Sequence, residues 1–173
     1  MLDANKLGAL GTLVTDCVET ILDGLSPSAA AALSMLHFKP DLTATQLAAI
    51  CGIRQPTMVR ILDGLVAQGL VVRGAPNGRM TPLMLTPAGT ARAGRLQSAR
   101  MAALDKLLSV FSPEERQTFE KLVDRLVAGA TTSRAFARTT CRLCAHDVCK
   151  PGLCPIGKRA GEIEATGEAS QLP

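Results

Sequence analysis

The side chains with the most distinctive chemistry stand near the C-terminus, where Cys141-Arg-Leu-Cys144-Ala-His-Asp-Val-Cys149-Lys-Pro-Gly-Leu-Cys154 gathers four of the chain's six cysteines. The spacing is C-x2-C-x4-C-x4-C, and Pro151-Gly152 can turn the backbone between the last two thiols. Clustered thiols at this density signify a four-thiolate site. Such a ligand set suits an iron–sulfur cluster or tetrahedral Zn2+, while uncoordinated thiols could form a reversible disulfide. His146, inside the motif, reads as a polar surface residue, and His37 as a helix-end or surface group. Cys17 and Cys51 fall on apolar stripes and read as buried core.

A second signal lies in the charge. The 173-residue chain has a net charge of +4, yet residues 1–53 sum to −3 while 54–100, with seven Arg and one Asp, reach +6. A local excess of this kind is the footprint of a surface that meets phosphates. The chain has four Phe and neither Trp nor Tyr, which argues against modules that stack bases on aromatic rings. Leu7–Val14 and Ala29–Leu33 are apolar but far short of the roughly 20 residues that span a bilayer. With no secretory apolar region ahead of the cysteines, the expectation is a cytoplasmic protein that does not engage a membrane.

The elements that must position these groups follow from periodicity and caps. Leu7, Leu10, Val14, Val18, Ile21 and Leu25 form one stripe of a first helix ending near Gly24. Ser26-Pro27 opens an Ala-rich helix to about His37, and Thr43-Ala-Thr-Gln46 is a capping box for a short third helix that Gly52 ends. A fourth begins near Pro56 and turns Met58, Ile61, Leu62 and Leu65 inward. Two β-prone runs between Leu70 and Leu85 flank Asn77-Gly78, the signature of a tight hairpin, and Pro82 confines its strand to an edge. Thr86-Pro87 opens a long helix to about Phe111, and Ser112-Pro-Glu-Glu115 opens another with Phe119, Leu122, Val123, Leu126 and Val127 on one side. These stripes exceed what one small domain covers and predict burial against a second subunit.

Residues 44–62 fit a helix-turn-helix: Ala48 is small where the helices cross, Gly52 takes the left-handed turn, and the apolar positions face inward. With the hairpin after it, the fold class is mainly α with a small β-hairpin wing. The order of elements, together with Ile53-Arg-Gln-Pro-Thr-Met-Val-Arg-Ile-Leu-Asp-Gly-Leu65, Gln68-Gly-Leu-Val71 and Leu85-Thr-Pro-Ala-Gly89, resembles the MarR family of transcription regulators over about residues 5–138. That resemblance implies a homodimer whose first and last two helices interlock. It also implies two winged domains on successive major grooves of a palindromic double-stranded operator, and repression relieved by a small molecule or by oxidation.

The inward positions leave Gln55, Pro56, Val59 and Arg60 on the outer face of the recognition helix, with Arg54 at its start. Gln55 and Arg60 can bond base edges, Val59 can meet a thymine methyl, and Arg54 or Thr57 suits phosphate. Arg79 at the hairpin tip suits a narrow minor groove. Gly64 stands where members of the family usually carry Arg. Some members end in a similar Cys-rich tail, but the family as a whole lacks one.

The partition expected is a helical dimerisation region at 1–25 and 87–138, a winged domain at 26–86, a four-Cys appendage at 139–160 and a disordered tail at 161–173. Within the appendage, Cys154-Pro155 resembles the ending of bacterial ferredoxin motifs, so an iron–sulfur cluster held by Cys141, Cys144, Cys149 and Cys154 is the leading reading. The spacing also resembles a zinc knuckle with Cys for its His, and Zn2+ is the alternative. Zinc would staple a tail that has no apolar core of its own. The site is expected to act through the dimerisation helices from which it hangs. No catalytic residues are expected: the chain shows no nucleophile elbow, P-loop or dinucleotide loop, and Cys141-x-x-Cys144 lacks the βαβ setting of a thiol reductase.

Overall fold

The computed structural model describes residues 1–76, 78, 81–149 and 152–167. In chain order the elements are α1 (Leu2–Glu19), α2 (Pro27–Phe38), α3 (Ala44–Cys51), α4 (Gln55–Ala67), β1 (Val71–Arg73), β2 (Leu83–Leu85), α5 (Pro87–Leu108), α6 (Pro113–Ala130), α7 (Arg134–Thr140) and α8 (Pro155–Thr166). Mainly helical with a two-stranded hairpin, this is the fold class expected.

Helix α2 is the strut on which the rest is built. Every residue from Ala29 to Leu36 is buried, and its run of four alanines lets α3 and α4 approach on one side and α5 on another. Ser26 Oγ accepts from Ala29 N at 3.2 Å, which starts the helix where Ser-Pro predicted. The core gathers Leu33, Met35, Leu47, Met58, Leu62, Leu65, Val71, Leu83 and Leu96 around it.

The capping box closes as the sequence requires, with Thr43 N donating to Gln46 Oε1 at 2.8 Å and Gln46 N to Thr43 Oγ1 at 3.3 Å. Gly52 takes φ +66, so Ile53 N can reach back to Ala48 O at 3.0 Å and the chain can turn into α4. The wing pairs antiparallel, Val71 with Leu85, Val72 with Met84 and Arg73 with Leu83. It is short because Pro76 and Pro82 remove the amide donors that a longer ladder would need. Gly78 has φ +60, whereas Asn77 lies outside the described residues.

Three expectations need correction. The first helix stops at Glu19 rather than Gly24: Ile21 N and Leu22 N bond three residues back to Val18 O and Glu19 O, then Asp23 and Gly24 take positive φ, and Leu22 and Leu25 turn into the core. Residues 161–166 belong to α8 rather than to a disordered tail; residues 168–173 lie outside the described residues. Pro155 presets the first turn of α8, Ile156, Ala160 and Ile163 bury one face, and Gly167 at φ +69 closes it. The tail also has a small core after all. Ala137 of α7 meets Ile156 and Ala160 of α8, with Val127 of α6, Cys141 and Cys154 packed around them.

Candidate nucleic-acid interface and four-thiol site

Helix α4 amphipathicity decides which side chains face outward. Met58, Leu62 and Leu65 are buried, which leaves Arg54, Gln55, Pro56, Thr57 and Arg60 exposed and Val59 half-buried. The predicted recognition residues thus form one outward face, with Val59 at its inner margin. Arg79 lies outside the described residues.

The basic stretch is partly neutralised by the fold itself. Arg73 of β1 pairs with Asp63 of α4 at 2.7 Å, and Arg92 of α5 binds both the carboxylate and the carbonyl of Asp23. Arg54 and Arg60 form no ion pair among the described residues, so their charge is available to a ligand. Asp63 and Arg73 are ten residues apart in sequence, and only the return of the chain into the wing brings them together.

The cysteine motif runs from the end of α7 to the start of α8. Cys141 is the C-cap of α7, and Cys154 is the N-cap of α8, its Sγ accepting from Gly157 N at 3.5 Å. Between them Cys144 N donates to Cys141 O at 3.0 Å and Cys149 N to Ala145 O at 3.0 Å, folding the loop into successive turns. All four thiols are half-buried and line one cavity of about 680 Å³, joined by Lys39, Arg138 and Lys158. None of these basic residues was anticipated as part of the site.

The thiols act on one another as two neighbouring pairs, Cys141 with Cys144 and Cys149 with Cys154. The neighbouring Cys141 thiol, aided by the charge of Arg100 against the opposing effect of burial, lowers Cys144 to about 6. Cys141 is pushed up by Cys144 beside it, by burial and by the other thiols, while burial above all pushes Cys149 up to about 12. Among the described residues no three His, Cys, Asp or Glu side chains are drawn tightly enough together to hold a single ion. The donor set suits thiophilic metal chemistry, and four thiols on one cavity wall with cations beside them fit a group of net negative charge.

The site rests on the winged domain rather than at the far end of the dimerisation helices. Helix α7 packs on α3, with the Thr139 methyl facing Gly52 at the turn. The His146 ring lies 5.4 Å from that of Phe38, and its Nε2 stands 3.2 Å from Cys141 O. Burial lowers the pKa of His146, so this residue is a half-buried packing group rather than a solvated one. Cys51 is half-buried against the main core and its thiol is pushed up by burial. Cys17 is half-buried on α1 and lies outside the core.

A helix-turn-helix on a buried strut, followed by an antiparallel wing, defines a winged helix protein. The MarR family profile matches residues 23–79. A MarR family transcriptional regulator from Silicibacter pomeroyi is 32% identical over 69% of this chain and 86% of its own, with a TM-score of 0.54. A MarR family protein of Mycobacterium tuberculosis, solved in complex with DNA, is 25% identical over 71% of this chain and 95% of its own, with a TM-score of 0.60. The same protein solved with p-aminosalicylic acid gives 26%, 71%, 96% and 0.58 for the same measures. The chain belongs to the MarR family of transcription regulators. The cysteine motif lies outside the residues that the family profile matches. No helix among the described residues is long and apolar enough to cross a membrane.

Proposed function

We propose that the chain is a homodimeric, sequence-specific DNA-binding repressor whose operator affinity is set by a four-cysteine centre holding an iron–sulfur cluster, with Zn2+ as the alternative occupant, a single ion that would have to draw the four thiols closer together than they stand here. The observation that carries the reading is the single cavity lined by Cys141, Cys144, Cys149 and Cys154, one wall of which is the end of α2 at Met35 and Lys39. A change in those thiols is felt by the helix that supports the whole helix-turn-helix. When bound, a cluster supplies ligation that oxidation can break, whereas zinc supplies a redox-inert staple.

Gln55 and Arg60 would read base edges, Val59 a thymine methyl, and Arg54 and Thr57 would hold phosphate, with Arg79 entering the minor groove. Support for the dimer comes from α1 and α6, which bury no residue of their own in the single chain while exposing Leu7, Leu10, Leu13, Leu122 and Leu126.

The test is anaerobic purification followed by an absorption spectrum and assay of iron, sulfide and zinc, then operator titrations before and after exposure to oxygen or a chelator. The reading expects metal in stoichiometric amount and an affinity that changes with its removal. Full retention of that response by the variant with Ser at all four positions would overturn the switch, and a metal-free native protein would overturn the centre.

A further inference from the structure

We infer that Gln97 is the positioning residue through which the state of the thiol site reaches the helix-turn-helix. The inference rests on the reading of the cysteines as a switch and names the part that transmits it.

Gln97 lies on α5 beside buried Ala93 and Leu96 and is itself only 7% exposed. An amide in an aliphatic core is costly unless its polar atoms are engaged. Its Nε2 donates to Ser34 Oγ on α2 and to Leu143 O at 3.2 Å. Ser34 is wholly buried on the strut that carries α3 and α4. Leu143 is the residue immediately before Cys144 in the Cys141–Cys144 turn, and its side chain packs at the edge of the main core. One amide group therefore ties the recognition domain's supporting helix to the backbone between two thiols.

The amide's orientation is also settled by its surroundings. Flipping it would set Oε1 against the Leu143 carbonyl, so the two acceptors hold the NH2 end between them. Oε1 itself has no hydrogen-bond partner among the described residues, nor does Arg100 Nε one turn further along α5. The contact to Leu143 is thus one of two that satisfy the NH2 end of this group.

Coordination or oxidation of Cys141 and Cys144 constrains the peptide of Leu143, since only Arg142 and Leu143 separate the two thiols. If that carbonyl turns away, a buried N–H of Gln97 is left unpaired. Movement of α2 or α5, which are packed against the helix-turn-helix and the wing, relieves that cost. A discrete change in one peptide thereby biases the placement of the recognition helix.

The experiment uses the full chain, a duplex selected by the wild-type protein from a random pool, and fixed salt. Operator affinity is measured for metal-loaded and chelator-stripped protein, giving one ratio for the wild type and one for Gln97→Met, which keeps the volume and removes the amide. The expected wild-type ratio lies in the range of about 5–150 typical of coupled sites, and Gln97→Met brings it below about 2 while metal content and absorption spectrum stay unchanged. An unchanged ratio in Gln97→Met overturns the inference. A wild-type ratio of one overturns the underlying switch instead, which separates the two failures. If Gln97→Met does not fold, Ser34→Ala cuts the same link from the α2 side. It must lower the ratio in the same way, and its failure to do so overturns the inference equally.

Discussion

At the scale of single residues, the recognition face was legible because helical period alone fixes it: once Met58, Leu62 and Leu65 are inward, Gln55 and Arg60 must be outward. Arg60 carries a charge that no carboxylate in the described structure takes up, so Arg60→Ala should weaken operator binding by about 1–3 kcal/mol and relax specificity. Fluorescence anisotropy against the selected duplex and a scrambled one checks both effects. What the sequence could not reveal is that Asp63 and Asp23 claim Arg73 and Arg92, since those pairs depend on distant segments meeting. The same holds for Gly89. A Cβ there would lie 1.9 Å from Leu70 O, where Thr86 and the start of α5 close onto β1. Gly89→Ala should therefore lower stability by about 1–3 kcal/mol, the usual cost of overpacking, seen as a drop in Tm with unchanged secondary structure.

Caps and turn residues made most elements readable at the next scale, because Ser26, Thr43, Thr86 and Ser112 each perform the capping that their sequence context demands. Helices α7 and α8 escaped notice for a physical reason. Their apolar faces are only a few residues long, and their partner surface exists only once α6 and the cysteine turn are in place. Gln97, too, could have been flagged as a polar residue on the inward stripe beside Ala93 and Leu96. Its partners Ser34 and Leu143, far away along the chain, could not.

Beside its small core, the tail carries an ion pair in which Arg134 Nε donates to both oxygens of Glu164 at 3.1 Å and Nη2 adds a bond at 2.8 Å. That guanidinium holds the Glu164 carboxyl below its ordinary range. A depressed folded-state pKa means the contribution is complete above the unfolded value, about 4.3, and is lost as pH falls through the lower folded value. The protection of α8 amides against hydrogen exchange, taken relative to the intrinsic rate at each pH, should fall on acidification through that window, and Glu164→Gln should show the lower protection already at neutral pH.

For the whole molecule, the faces left over by the single chain determine how it assembles. Leu122 and Leu126 are 56% and 52% exposed on α6, and Leu7 and Leu13 about as much on α1, while α8 covers another part of α6. Two such leucine stripes are costly to leave in water, and in the proposed homodimer a second copy would offer the matching surface. Two recognition helices of that dimer would address half-sites roughly 34 Å apart, one turn of duplex. Joining them makes the second contact intramolecular, so the dimer should bind a two-site duplex about 10²–10⁴-fold more tightly than one winged domain does. Replacing Leu122 and Leu126 together by Glu places charge in that seam without touching α4 or the thiol cavity. The expected outcome is a folded monomer by sedimentation equilibrium with unchanged helical content. It should bind a single half-site as the parent's domain does and lose the gain on the full palindrome. A monomer with undiminished affinity for the palindrome would mean that the two domains do not act together, and the assembly inferred from the leucine faces would fall with it.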